Sequence, residues 1–177
     1  MSKNFEGKRT LVCGGTDGIG KASALLMAER GAEIIIMARN QKKLKNVCDE
    51  LSTSSGQTHT SICADFNDMV ALKKSLSDQL KGPIHILINN SGGPHGGELI
   101  HAKEEEFRIA FERLLIANQV ITQAIVPMMK EHENGRIINI ISTSVNQVIS
   151  GLGVSNTIRG AVTQWAKTLA LELGDYG

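Results

Sequence analysis

The stretch LVCGGTDGIGKASA, residues 11–24, contains two overlapping patterns that could bind phosphate groups. Read as G-x-x-x-x-G-K, it forms most of a nucleoside-triphosphate loop from Gly15 to Lys21. Read as G-x-x-x-G-x-G, it forms a dinucleotide-binding turn on Gly14, Gly18 and Gly20. The two patterns predict different enzymes, because one binds a nucleoside triphosphate with magnesium and the other a dinucleotide.

The ligands that a triphosphate loop supplies to magnesium are missing from this chain. The residue after the lysine is Ala22 where a Ser or Thr hydroxyl is needed, and the strand IHILINN ends in Asn where a carboxylate is expected. The dinucleotide turn needs a strand, closely spaced glycines and then a helix whose amino end faces the pyrophosphate, and RTLVCGGTDGIGKASALLMAERG supplies these in order. The sequence therefore favours a dinucleotide over a triphosphate and over a merely structural turn.

The end of the second predicted strand, IMARN, indicates which dinucleotide is bound. An NAD site usually has an acidic residue there for the ribose 2′-hydroxyl, but this strand ends in Ala38 followed by Arg39. A guanidinium pairs with a 2′-phosphate, which a carboxylate would repel. We therefore expect NADP(H), the alternative being that Arg39 is a solvated cation at a helix start.

Short β-branched runs alternate with amphipathic helical patterns along the chain. This alternation is typical of βαβ units, so we expect an α/β fold with a doubly wound, mostly parallel Rossmann sheet in one domain over residues 1–177. The predicted strands are TLVC, EIIIMA, THTSICA, IHILIN and RIINIIS. The predicted helices are Ile19–Glu29, Gln41–Leu51, Asp68–Leu80, Glu104–His132 and Ser155–Leu173.

Composition argues against several other classes of protein. A formal charge of +1 gives no general reason to expect nucleic acid or an anionic membrane as a partner. The three cysteines, Cys13, Cys48 and Cys63, have neither the spacing of a zinc site nor the even number of a disulfide framework, so we expect free thiols and no metal. The polar amino terminus has no apolar core for a signal peptide, and no apolar run is expected to approach membrane-spanning length, which together predict a cytoplasmic protein.

Several motifs in order make the chain resemble the short-chain dehydrogenase/reductase family over essentially all 177 residues. CGGTDGIG is similar to the family's T-G-x-x-x-G-I-G, with Cys13 in place of Thr, and NNSG at residues 89–92 is similar to N-N-A-G. The resemblance implies cofactor contacts along the glycine turn, at the ends of the second to fourth strands and in the last helix. The residues implied are Gly14, Gly15, Thr16, Asp17, Gly18, Ile19, Gly20, Arg39, Asp65, Asn90 and Arg159.

At the catalytic positions that the resemblance implies, this chain has some of the family's residue types and lacks others. Asn118 matches the structural and proton-relay Asn, and Ser142 matches the Ser that binds the substrate carbonyl. The family's Y-x-x-x-K aligns with SNTIR, which places Ser155 at the Tyr and Arg159 at the Lys. The resemblance implies hydride transfer between nicotinamide and a carbonyl or alcohol, for example a 3-oxoacyl thioester, but a serine hydroxyl is a much poorer acid than the activated Tyr.

Three interpretations of the site stay open. In the first interpretation, the chain is an atypical reductase in which Ser142 and Ser155 polarise the carbonyl and water or His95 gives the proton. A solvent-exposed loop histidine is the simpler interpretation of His95. Alternatively, the protein binds NADP(H) without turnover and has a regulatory or assembly role. In the third interpretation the substrate carries its own acidic group, and the site only orients it.

The sequence stops at LELGDYG, where the family would continue into a sixth strand. We therefore expect a form shortened at its carboxyl end, lacking the strands and loop that choose the substrate. The resemblance also implies a small-molecule partner and a homo-oligomer, a dimer or tetramer, formed through two long helices.

Overall fold

The computed structural model describes residues 4–177, so residues 1–3 of the predicted domain lie outside the described residues. Five strands form one fully parallel sheet in the order β3-β2-β1-β4-β5. Their bounds are β1 Arg9–Cys13, β2 Glu33–Ala38, β3 Thr60–Cys63, β4 Ile86–Asn89 and β5 Arg136–Asn139. The order reverses next to β1, and helices cover both faces, which confirms the doubly wound α/β fold.

The helices follow the strands as the sequence predicts. Their bounds are α1 Gly18–Glu29, α2 Gln41–Glu50, α3 Met69–Gln79, α4 Glu104–Phe111, α5 Ala117–Glu131 and α6 Gly153–Leu173. The first three begin where an Asp or Asn side chain accepts a hydrogen bond from a backbone N–H of the first turn, at Asp17, Asn40 and Asp68. These caps follow β1, β2 and β3, so three helix amino ends and their polar side chains point towards the carboxyl edge of the sheet.

Strands β1, β2 and β4 are buried on both faces, because their side chains alternate between two apolar layers, whereas Arg136 and Ile138 of the edge strand β5 are exposed. Leu11 and Cys13 of β1 pack with α3 and α5 on one face, whereas Val12 packs with α1 and α2 on the other. A third, smaller cluster joins α4 and the residues just after it to α6 through Ala110, Leu114 and Ile158. Both layers are filled by aliphatic side chains, which agrees with the continuous apolar strands in the sequence.

The predicted helix Glu104–His132 is not one regular α-helix. A π-helical turn, Glu112–Ile116, separates α4 from α5. A π-turn carries one more residue per hydrogen-bonded turn than an α-helix, and it is frequently found at functional sites. Periodicity could not locate this insertion, because apolar residues continue on both sides of it.

The segment Glu104–Glu131 is also long and apolar enough to pass a length-and-composition test for a membrane span, so the prediction that no apolar run approaches that length is wrong. Such a test is equally passed by the core helix of a folded domain. In this structure Ala117, Ile121, Ile125 and Met129 pack in the core layer between the sheet and helices α3 and α5. The apolar character of the segment is therefore explained by its packing.

Candidate functional site

The glycine turn after β1 has a backbone that only glycine allows. Gly14 and Gly18 have φ angles of +58° and +49°, in the left-handed region that side chains disfavour. A Cβ on Gly14 would lie 2.7 Å from Nδ2 of Asn90, and one on Gly20 would overlap the carbonyl oxygen of Gly14. The turn is thus held close to β4 and leaves no room for side chains, which fits a backbone that must approach a pyrophosphate.

Asn90 connects the turn to the strand beside it. Its Nδ2 donates to the carbonyl oxygens of Cys13 and Gly14, each at 3.3 Å. Below the turn, complete burial raises the pKa of the Cys13 thiol to about 12. Cys13 is therefore a neutral packing residue of the turn near neutral pH, not a nucleophile.

A groove of about 590 Å³ runs from this turn along the carboxyl ends of β2, β3 and β4. It lies at the switch point of the sheet, where parallel α/β folds bind ligands. Most of the predicted cofactor residues share this groove. The residues are Gly14, Thr16, Asp17, Gly18, Ile19, Ala38, Arg39, Asn40, Lys43, Ala64, Asp65, Phe66, Asn67, Asn90, Ser91, Gly92 and Arg113.

The end of the groove at β2 carries two cations. Arg39 is exposed, and among residues 4–177 no carboxylate lies within ion-pair distance of it. Lys43 lies one turn into α2, with its Nζ 3.5 Å from an Asp17 carboxylate oxygen. The hydrogen bond from the Gly18 N–H, and then Lys43, lower the pKa of Asp17. Among the described residues at this end of the groove, Lys43 thus has a carboxylate partner and Arg39 has none.

Asp65 is held in place at the end of β3. Its Oδ1 accepts hydrogen bonds from the backbone N–H and the Nδ2 of Asn67, both at 2.9 Å. The carboxylate thereby closes a tight loop after the strand. This loop forms the wall of the groove next to Arg39.

A second polar group lies where β5 meets α6. Ser142 Oγ accepts a hydrogen bond from the Ser144 N–H at 3.1 Å. Arg159 donates from Nη1 to the carbonyl oxygen of Ile140 at 2.7 Å, and a Cβ on Gly93 would lie 3.7 Å from its Nη2. Burial lowers the pKa of Arg159, although a guanidinium stays protonated near neutral pH. Ser155 is half-buried one helical turn before Arg159.

Two predicted participants lie apart from these groups. Asn118, 9% exposed, is in the first turn of α5 and is absent from the groove lining, so its catalytic role stays a prediction. His95 is exposed and lines a separate cavity of about 90 Å³ with Glu98, His101 and Val154. The structure therefore does not bring His95 into the groove that begins at the glycine turn. Within residues 4–177, no three His, Cys, Asp or Glu side chains form a cluster that could hold a metal ion.

Sequence reasoning missed Arg113 and Lys43 as groove residues. Lys43 could have been found, because it follows the Asn40 cap by three residues and so lies on the helix turn that faces the groove. Arg113 lies in an otherwise apolar stretch, which could have marked it as a candidate. The direction of its side chain, however, depends on the π-turn. The polar end of β2 therefore contains more positive charge than Arg39 alone.

Residues 8–177 match the sequence profile of the short chain dehydrogenase family. The chain belongs to this family, which confirms the resemblance seen in its motifs. It therefore comes from an oxidoreductase family that uses a nicotinamide cofactor.

The matching relatives are longer than this chain. It is 31% identical over 174 residues to the 3-oxoacyl-acyl-carrier-protein reductase of Vibrio cholerae, covering 98% of this chain and 70% of that protein. It is 29% identical over 171 residues to a tropinone reductase homologue of Arabidopsis thaliana, covering 96% of this chain and 53% of that protein. L-sorbose reductase of Gluconobacter frateurii, solved with NADPH and L-sorbose, superposes with a TM-score of 0.91 at 25% identity, covering 99% and 68%. The chain thus spans about half of the tropinone reductase homologue and about seven tenths of the other two.

Proposed function

We propose that this chain is the dinucleotide-binding part of an NADP(H)-dependent oxidoreductase that interconverts a carbonyl and an alcohol. The observation that carries the proposal is the glycine turn at one end of a groove whose β2 end presents the unpaired Arg39. The glycine backbone and the amino end of α1 would hold the pyrophosphate, and Arg39 the 2′-phosphate. The similar fold of L-sorbose reductase, which was solved with NADPH, supports the proposal that this chain binds NADP(H).

The residues around β5 and α6 would orient the substrate. When bound, the nicotinamide supplies or accepts the hydride. Because the Ser142 oxygen already accepts from the Ser144 N–H, the Ser142 proton is free to be donated to a carbonyl oxygen. Arg159, fixed by the Ile140 carbonyl, would keep its other donors for the ribose hydroxyls, and it cannot relay a proton near neutral pH.

A second candidate function is binding of NADP(H) without turnover, in a regulatory or assembly role. The specific observation that favours it is the pair Ser155 and Arg159 at the positions of the family's Tyr and Lys. A substrate that brings its own acidic group would restore turnover without that pair. A small-molecule substrate, a homo-oligomer and a cytoplasmic location belong to the same proposal.

The first experiment is a fluorescence titration of the chain with NADPH and with NADH. We expect NADPH to bind more tightly, and Arg39→Ala to weaken NADPH binding by about tenfold or more while leaving NADH unchanged, since a charge-assisted phosphate contact is lost. Lys45→Ala, an exposed cation of α2 outside the groove lining, is the matched control. Equal loss for both nucleotides on Arg39→Ala would contradict the assignment of the 2′-phosphate.

Turnover separates the two candidate functions. Loss of NADPH absorbance with a panel of ketones, oxo acids and 3-oxoacyl thioesters would support the oxidoreductase. Tight NADPH binding without turnover of any of them would favour the non-catalytic role.

A further inference from the structure

Arg113 lines the groove, but the proposed function assigns it no role. It lies in the π-turn between α4 and α5, next to the buried Leu114. Its side chain reaches the groove, where Nε donates to Asn67 Oδ1 at 3.0 Å and Nη1 lies 3.5 Å from the carbonyl oxygen of Gly93. Among residues 4–177, no carboxylate lies within ion-pair distance of it. A half-buried guanidinium held by two neutral acceptors is thus directed into a ligand groove.

The two contacts place Arg113 on a particular part of the groove. Asn67 follows β3 and Gly93 follows β4, so the side chain joins the loops after these strands. In the proposed orientation, the pyrophosphate at the glycine turn and the 2′-phosphate at Arg39 place the adenosine over the ends of β2 and β3. Arg113 then lies beside the adenine base, because Asn67 is hydrogen-bonded to Asp65 at the end of β3.

The geometry of the guanidinium suits a flat ligand. Both of its contacts use N–H groups, which lie in the guanidinium plane, so the faces of the plane remain available for packing. A planar guanidinium packs favourably on aromatic and nucleobase faces. Phe66, the aromatic residue in the groove lining, packs against the core layer. Arg113 therefore provides a flat surface next to the adenine site.

We propose that Arg113 packs its guanidinium plane against the adenine base of the dinucleotide. The proposal rests on the proposed function, since it assumes that the groove binds a nicotinamide dinucleotide. It adds a cofactor-binding residue that acts on the base, whereas Arg39 acts on the phosphate.

The test compares whole and partial cofactors. Arg113→Met keeps the apolar stem without the plane or the charge, and Arg113→Lys keeps the charge without the plane. We expect both variants to weaken NADPH and adenosine 2′,5′-bisphosphate by about tenfold and to leave reduced nicotinamide mononucleotide, which has no adenine, unchanged. Arg108→Met, an exposed arginine of α4 paired with Glu104, is the matched control.

Three results would overturn the inference. Unchanged NADPH binding by Arg113→Met would show that Arg113 does not contact the cofactor. Full recovery by Arg113→Lys would assign Arg113 to a charge contact, and equal loss for the mononucleotide would place it at the nicotinamide end. If the unmodified chain bound neither NADPH nor NADH, the proposed function would fail together with this inference, whereas the other results leave the proposed function intact.

Discussion

The carboxyl edge of the sheet contains two regions that differ in how closely they keep the family pattern. The groove region, over the ends of β1 to β4, keeps the glycine spacing, Asn90 and the helix caps. In the alignment that the resemblance implies, the β5–α6 region keeps Ser142 but has Ser155 and Arg159 at the positions of the family's Tyr and Lys. The groove region has the glycine turn and the cations on which the proposed dinucleotide binding rests, whereas the β5–α6 region, residues 136–173, contains no tyrosine.

The difference shows that the two tasks depend on different properties of the chain. Binding a dinucleotide depends on backbone shape, which several glycines and strand ends produce together. Donating a proton depends on the pKa of one side chain. A substitution such as Tyr to Ser can therefore change the chemistry while α6 still begins in the same place and Arg159 still contacts the end of β5.

The largest effect should follow from damage to the groove region. Gly20→Ala would push a Cβ into the carbonyl oxygen of Gly14 and to 2.8 Å from Asn90 Nδ2. Because a backbone atom cannot move aside cheaply, we expect the free energy of unfolding to fall by about 3 kcal/mol and NADPH binding to be lost. Urea unfolding and NADPH titration measure the two effects.

Gly160→Ala is the matched control for that prediction. Gly160 lies inside α6, and a Cβ there would have no atom within 4 Å. Alanine should therefore stabilise the helix by about 0.5–1 kcal/mol. If Gly20→Ala left NADPH binding intact, the glycine turn would not be the pyrophosphate site.

The glycine turn was predictable from the sequence, because its function requires a local pattern of glycines between a strand and a helix. The sheet was predictable for a similar reason, since strands buried on both faces are continuously apolar. The groove role of Arg113 was not predictable, because a π-turn sets the direction of its side chain. Asn118 was assigned from the resemblance to the family's proton-relay Asn, and neither that match nor the helical pattern tells which face of the helix reaches the groove.

The second effect tests the β5–α6 region. The double replacement Ser155→Tyr with Arg159→Lys would supply a phenol and a lysine one helical turn apart. We expect turnover of simple ketones to rise by about 100-fold, with NADPH affinity changed little. NADPH oxidation rates measure this, and Ser155→Phe with Arg159→Lys is the control of equal bulk without a hydroxyl.

Two outcomes of the double replacement have opposite meanings. A gain that requires the phenol hydroxyl would show that the β5–α6 region is a reductase site lacking its acid. If the unmodified chain turned over a substrate well and the double variant lost that activity, Ser155 and Arg159 would serve a different chemistry.

A smaller effect tests whether the two regions are separable. Asn89 Nδ2 of β4 donates to Asn139 Oδ1 of β5 at 2.9 Å, and Asn89 is 1% exposed. Asn139→Ala would leave a buried donor unpaired, so we expect a loss of about 1–2 kcal/mol in the free energy of unfolding. NADPH affinity should change less than about threefold, because this hydrogen bond is not part of the groove lining.

The exposed Asn146 provides the control for this hydrogen bond, since Asn146→Ala should change neither the free energy of unfolding nor NADPH affinity. If Asn139→Ala reduced NADPH affinity as strongly as Gly20→Ala, the two regions would act as one unit. The contrast between them would then be wrong.

The smallest effect concerns pH, and it should come from neither region. Cys13, with a pKa of about 12, and Arg159 do not change charge between pH 5.5 and pH 8. At the opposite edge of the sheet, His85 accepts a hydrogen bond from the Arg9 N–H at 3.0 Å and lies against His132. Burial, then the charges of Lys8, His132 and Arg9, lower the pKa of His85.

Because the pKa of His85 is lower in the folded state, the unfolded chain binds more protons as the pH falls through about 6.5. The contribution of His85 to stability is therefore complete above that pH and is lost below it. Since the ring is only half-buried and solvent screens its charge, we expect less than about 1 kcal/mol between pH 7.5 and pH 5.5. In His85→Asn, whose amide oxygen can still accept from Arg9, the pH dependence of urea unfolding should decrease while NADPH affinity stays the same. A pH dependence of NADPH affinity that disappears in this variant would mean that the two edges of the sheet are coupled.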